Sequence, residues 1–110
     1  MDGTHDTIRI GDTMTVDFNA LGMTADLFKV FSNETRLGII ALLSKRAHNV
    51  GEMAELLSID QGSLSQQLRT MRYMGVVESE RKGHHVIYTL KDENIREIFQ
   101  CGHKYTLSSG

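Results

Sequence analysis

Apolar and small residues recur at helical spacing from Val16 onward, through Ala20, Thr24, Leu27 or Phe28, and Phe31. That spacing predicts a first helix ending near Phe31. Ser32-Asn33-Glu34-Thr35 then supplies capping residues for a second helix running to about Ser44. Its stretch Leu37-Gly38-Ile39-Ile40-Ala41-Leu42-Leu43 is apolar nearly all round, as in a helix at the middle of a core. Lys45-Arg46-Ala47-His48 reads as a polar connection, and Asn49 as the cap of a short third helix. In that helix Val50, Met53, Ala54 and Leu57 make one buried stripe. Asp60 is a suitable cap for a fourth helix from Gln61 to about Met74, with Gly75 placed for a left-handed terminus. The period then changes. Residues 76–80 and 86–90 are β-prone runs, with Arg81-Lys82-Gly83-His84 between them as a hairpin tip. A last helix is expected from about Asp92, with Ile95, Ile98 and Phe99 on one side.

This order implies a mainly α, α+β winged helix: four helices, a two-stranded β-hairpin wing and a C-terminal helix. The short third helix, brief turn and longer fourth helix have the shape of a helix-turn-helix. Residues 1–15 mix Thr, Gly and Asp without a period and are expected to form a flexible arm. Residues 16–105 are expected to form the winged helix-turn-helix domain, and 106–110 a frayed tail. A chain of 110 residues fits one such domain.

Composition narrows the class. The densest apolar run is far shorter than the roughly 20 residues a bilayer requires, and the amino end has no apolar block of a secretory signal. A lone cysteine, Cys101, excludes an internal disulfide framework. These features point to a cytoplasmic protein without a membrane partner. The net charge of −2 argues weakly against nucleic acid, but its distribution matters more. Five aspartates stand in the first 30 residues, whereas residues 61–91 carry Arg69, Arg72, Arg81, Lys82 and Lys91, opposed only by Glu78 and Glu80.

On a helical wheel of the fourth helix, Leu64, Leu68 and Met71 share one side. Gln66, Arg69, Thr70 and Tyr73 fall opposite, flanked by Ser63 and Ser65; Gln61 stands at the helix start. Every side chain of that outer face can hydrogen-bond and none is acidic. Gln can pair with adenine, Arg with guanine or phosphate, and Ser with either. A solvated helix that touches nothing would ordinarily mix Glu and Asp into such a face. The helix N-terminus adds N–H groups and a positive dipole, and Arg81, Lys82 and His84 are suited to reach phosphate or a minor groove. His84 and His85 make a poor chelating pair, because strand neighbours face opposite ways.

The segment from Phe28 to Leu90 resembles the ArsR/SmtB family of small winged-helix repressors. Phe31-Ser32-Asn33-Glu34-Thr35-Arg36-Leu37 is similar to the family's opening of the second helix, and Asp60-Gln61-Gly62-Ser63-Leu64-Ser65-Gln66-Gln67-Leu68 to its recognition helix. Gly75-Val76-Val77, Arg81-Lys82-Gly83 and Val86-Ile87-Tyr88-Thr89-Leu90 match the wing. Gln66 departs from the family's usual His, which bears on sequence preference. The resemblance implies a homodimer formed by the first and last helices, on a palindromic operator of double-stranded DNA. Leu21, Phe28, Ile95, Ile98 and Phe99 are the expected interface. An inducer would release the repressor from DNA.

The signal sensed is less defined. Metal-binding members of the family carry an Asp-x-His pair and a later His on the last helix. Here Asp92 is present, but Asn94 and Tyr105 hold the other positions and His103 is displaced by two residues. The thiolate pair of arsenic and cadmium sensors is also missing; Val50, Gly51 and Glu52 stand there. The family's metal patterns are thus incomplete, and no cofactor is required for DNA binding. Asp92 and His103, with Cys101 and His5 or His48, could still assemble a zinc or nickel site across a dimer; the alternative is that they cap or face solvent. Cys101 is a redox candidate if exposed with a lowered pKa, and otherwise a small buried apolar residue. A regulator acting through that thiol, or a winged helix turned to protein interaction, remain alternatives. An acidic fourth-helix face would favour the latter. No enzyme motif is present: there is no Gly-rich phosphate cradle, HExxH or nucleophile elbow, and the Cys101/His103 pair points about 200° apart on a helix.

Overall fold

The computed structural model describes residues 7–10 and 14–109. Strands β1 (Thr7–Ile10) and β2 (Met14–Asp17) pair antiparallel, Ile8 opposite Val16. A 3-10 turn (Phe18–Ala20) leads into α1 (Leu21–Val30), α2 (Glu34–Lys45), the two-residue strand β3 (His48–Asn49) and α3 (Val50–Leu57). Then come α4 (Gln61–Tyr73), β4 (Val77–Lys82), β5 (His85–Leu90) and α5 (Glu93–Ser109). From α1 onward this is a winged helix-turn-helix.

Local chemistry sets most boundaries. Asn33 caps α2 by accepting the Arg36 N–H at 3.0 Å, and Asp60 caps α4 by accepting the Ser63 N–H at 3.0 Å. Asn49 and Glu52 form a reciprocal capping box on α3: Asn49 Oδ1 accepts the Glu52 N–H at 2.8 Å and Glu52 Oε1 accepts the Asn49 N–H at 3.0 Å. Helix α4 ends in a Schellman motif. Gly75, at φ 77°, donates to Arg72 O at 3.1 Å, and Val76 donates to Met71 O at 2.9 Å. Helix α3 ends the same way, but with Ser58 in the left-handed position at φ 55°.

The core gathers Ile39, Ile40 and Leu43 of α2, Met53 and Ala54 of α3, Leu64, Leu68 and Met71 of α4, and Val76 and Val77 at the wing's root. Burying each large side chain here contributes about 1.5–3 kcal/mol. Helix α2 buries Ile39, Ile40 and Leu43, but Leu37, Ala41 and Leu42 are only half-buried, so one side of it is left uncovered despite its apolar girth. Arg36 locks the layers together. Its guanidinium donates to Val30 O at 3.0 Å and Lys29 O at 2.8 Å, closing the end of α1, and to Gln67 Oε1 of α4 at 3.2 Å.

Five sequence expectations are corrected. The arm at residues 1–15 carries strand β1 and the start of β2, because Thr-Ile-Arg-Ile and Met-Thr-Val-Asp alternate β-branched or apolar residues with polar ones. The first helix accordingly begins at Leu21, after Asp17 caps the 3-10 turn through the Asn19 N–H at 3.0 Å. His48 is no loop residue. It is 4% exposed, bonds through Nδ1 to Arg46 O at 2.8 Å, and pairs with Tyr88, making the wing sheet three-stranded in the order β3-β5-β4. The hairpin turn is only Gly83-His84, with Lys82 opposite His85, so Arg81 and Lys82 lie in a strand rather than at the tip. The tail stays helical to Ser109, where Thr106 and Ser109 hydroxyls donate back to His103 O and Tyr105 O.

Candidate nucleic-acid interface

Three buried leucine and methionine side chains fix the rotation of α4. With Leu64, Leu68 and Met71 fully buried, the opposite face must turn to solvent. Gln61, Ser63, Gln66, Arg69, Thr70 and Tyr73 are all exposed there, and Ser65 is half-buried at the edge toward the wing. Gln67, between the two faces, is taken up by Arg36. The outer face thus carries no carboxylate over its length. At its start, however, the Asp60 carboxylate already accepts one N–H, so the helix end is less open to an anion than expected. Tyr73 stands at the far end beside α1, lining a shallow groove with Met23, Asp26, Leu27, Val30 and Met74.

The wing extends this surface. Alternation along β4 places Val77, Ser79 and Arg81 on one side and Glu78, Glu80 and Lys82 on the other. Val77 is buried in the core and Ser79 accepts from Arg72 of α4 at 2.8 Å, so the side with Arg81 is the one turned to the fourth helix. Glu78 pairs with Lys91 at 3.2 Å. Lys82, Gly83, His84 and His85 are exposed at the outer end of the hairpin.

Helices α1, α2 and α5 frame a second feature, an apolar groove of about 300 Å³ lined by Phe28, Phe31, Leu37, Ile98, Phe99, Gly102, His103 and Thr106. Phe28 and Leu21 are about half exposed, at 54% and 45%. Ile95, expected with them at a subunit interface, is instead 6% exposed and packed into the core of its own chain. It sits on the first turn of α5, where that helix meets α2 and where Arg96 donates to Ser44 O at 2.9 Å.

Within one chain the metal candidates are not brought together. Asp92 accepts the Asn94 N–H at 2.9 Å, capping α5, whereas His103 stacks on Phe99 with ring centroids 5.5 Å apart. Eleven helical residues separate them by about 16 Å. His48 is buried behind the wing, and His5 lies outside the described residues. Among the described residues no three His, Cys, Asp or Glu side chains cluster to hold a metal. Cys101 is an exposed free thiol outside the groove lining. Among those residues, too, no helix is long and apolar enough to cross a membrane.

The family profile of bacterial regulatory proteins of the arsR family matches residues 33–79, from the cap of α2 into the wing. The transcriptional activator HlyU of Vibrio cholerae is 32% identical over 78 residues, 71% of this chain and 72% of the relative. The chain belongs to the ArsR family. A second relative, the biofilm growth-associated repressor of Xylella fastidiosa, is 32% identical over 74 residues, 67% of this chain and 65% of that protein. The solved structure of reduced HlyU from Vibrio cholerae superposes with a TM-score of 0.74 at 29% identity, covering 79% of this chain and 92% of that one. This ArsR-family chain is therefore a DNA-binding transcription regulator, not an enzyme. Sequence reasoning about its surface missed Arg72 and Tyr88. Both line a cleft with Ser65 and Arg69 between α4 and the wing. Arg72 had been counted in the basic stretch, but the wheel alone does not reveal that the hairpin folds back over it.

Proposed function

We propose that the protein is a homodimeric repressor that binds a palindromic operator with α4 in the major groove of each half-site. The carboxylate-free outer face of α4 is the observation that carries this reading. Gln66 and Arg69 stand at its middle as base-reading candidates. Gln61, Ser63, Ser65, Thr70 and Tyr73 surround them, and Arg81, Lys82 and His84 extend along the backbone from the wing. Leu21, Phe28, Ile98 and Phe99 make the subunit interface. Two recognition helices would then meet successive major grooves about 34 Å apart. A dimer seated over a promoter blocks polymerase and an inducer lifts the block; the Xylella fastidiosa relative is likewise named a repressor.

Fluorescence anisotropy with the duplex upstream of its own gene tests the reading. Wild-type binding weakens steeply with salt, and Gln66→Ala/Arg69→Ala weakens it further by at least about tenfold, since each good base contact discriminates by about 1–3 kcal/mol. Undiminished binding in that double variant means that another element reads the DNA. Run-off transcription fixes the sign of regulation: less transcript supports a repressor, and more transcript makes it an activator, as HlyU is named.

A further inference from the structure

The cleft between α4 and the wing is small, about 280 Å³, and is lined by Ser65, Arg69, Arg72 and Tyr88. Residues 65, 69 and 72 stand at i, i+4 and i+7 on α4, so they form one file along the edge that faces the hairpin. Across from them, Ser79 and Tyr88 are register partners and share a face of the wing. Arg72 is held in place by its 2.8 Å hydrogen bond to Ser79 Oγ, which leaves most of its five N–H donors unused. Neither Arg69 nor Arg72 has an ion-pair partner among the described residues. The nearby carboxylates are directed elsewhere: Glu78 is paired with Lys91, and Glu80 is on the other side of the strand. Two arginines, a serine and a tyrosine thus line one cleft, with room for an oxyanion and the water around it. A surface file of arginines without function ordinarily meets acidic neighbours; here both are left with unspent charge and donors.

We propose that this cleft seats one backbone phosphate of the operator in each half-site, with Arg72 as its central donor and Ser79 as the residue that aims Arg72. The inference rests on the regulator reading and deepens it. Base selection belongs to the outer face of α4 around Gln66, with Arg69 on the border that face shares with the cleft, and the cleft fixes the depth and angle at which the face is presented. Phosphate contacts carry register, not sequence.

Methylphosphonate scanning of the operator supplies the test. Replacing one charged linkage at a time is expected to weaken wild-type binding at several positions, of which one per half-site, worth about tenfold, depends on Arg72. Arg72→Ala weakens wild-type duplex by a similar factor, evenly across operator sequences, and lowers the salt slope by about 1 per cleft. Its binding no longer responds to that same neutral linkage. Tyr88→Phe, which keeps the ring and its packing, loses part of the same response and covers the case in which Arg72→Ala fails to fold. Wild-type salt slope in Arg72→Ala, or full sensitivity to every neutral linkage in both variants, overturns the proposal while leaving DNA binding intact. Competition by sulfate over chloride at equal ionic strength, with no linkage coupled to Arg72, also overturns it and assigns the cleft to a free oxyanion. Absence of binding by the wild-type protein to any duplex removes the regulator reading itself.

Discussion

At the scale of single residues, the two family signatures at the start of α2 have distinct physical jobs. Asn33 ends the search for a helix start by taking the Arg36 N–H, and the Arg36 side chain then reaches backward to the carbonyls of Val30 and Lys29 and sideways to Gln67. One guanidinium thereby closes α1, orients α2 and braces the back of α4. Hydrogen bonds to a charged donor are worth about 1.5–3 kcal/mol when lost from a part-buried site. Arg36→Ala should lower unfolding stability by about 2 kcal/mol in urea titration, with Arg36→Lys recovering little because a single ammonium cannot span the three acceptors. This much was half legible. The cap is local and can be read from four residues, but Arg36–Gln67 joins positions 31 apart and exists only once the helices pack. The same distinction explains Arg72 and Ile95. A wheel assigns a side, and only the neighbouring element says whether that side is cleft, core or interface.

The helix-turn-helix itself depends on how α3 begins and ends. The Glu52 carboxylate accepts the backbone N–H of Asn49, with Arg46 beside it, and this holds its carboxyl below the ordinary value. A carboxylate whose pKa is lower in the folded state adds stability above its unfolded pKa, and that contribution is lost as pH falls through the folded value. Thermal melts should therefore show wild type and Glu52→Gln separated near neutral pH and converging below about pH 4. A separation that stays constant as pH falls through the folded value of this carboxyl would mean that packing, not charge, carries the effect. Asn49, Asp60 and Gly75 were readable as punctuation because each acts on its own turn. Strand β3 was not. Two residues have no period, and His48–Asn49 is a strand only because Tyr88 and Ile87 lie opposite. The hairpin at residues 7–17 was obscured differently. Val16 through Ala20 also fits a helical spacing, and the β alternation competes with it over too few residues to decide.

Across the whole molecule, much of the exposed apolar surface lies on α1 and on the second half of α5, beside single residues such as Leu56 elsewhere. Leu21, Met23 and Phe28 are exposed on the first, and Tyr105 and Leu107 on the second, at 73% and 71%. The groove that runs between them continues past Ile98 and Phe99. Covering such a surface with a second copy is what the proposed interface requires. Phe28→Arg should convert a dimer into a monomer in light scattering while retaining the wild-type circular dichroism, because the ring is about half exposed and outside the core. Operator affinity should fall by at least about a hundredfold, as two half-sites are no longer engaged together. A Phe28→Arg protein that stays dimeric would place the interface on another face.

The two-residue turn at Gly83-His84 sets the polarity of the wing. Because side chains alternate strictly, the pairing of Lys82 with His85 decides whether arginine or glutamate confronts the recognition helix. A slip of one position along β4 would bring Glu78 and Glu80 to the face toward α4 where Ser79 and Arg81 now stand, setting acid beside the recognition helix without altering composition. A glycine at φ 63° therefore governs an electrostatic choice made several residues away.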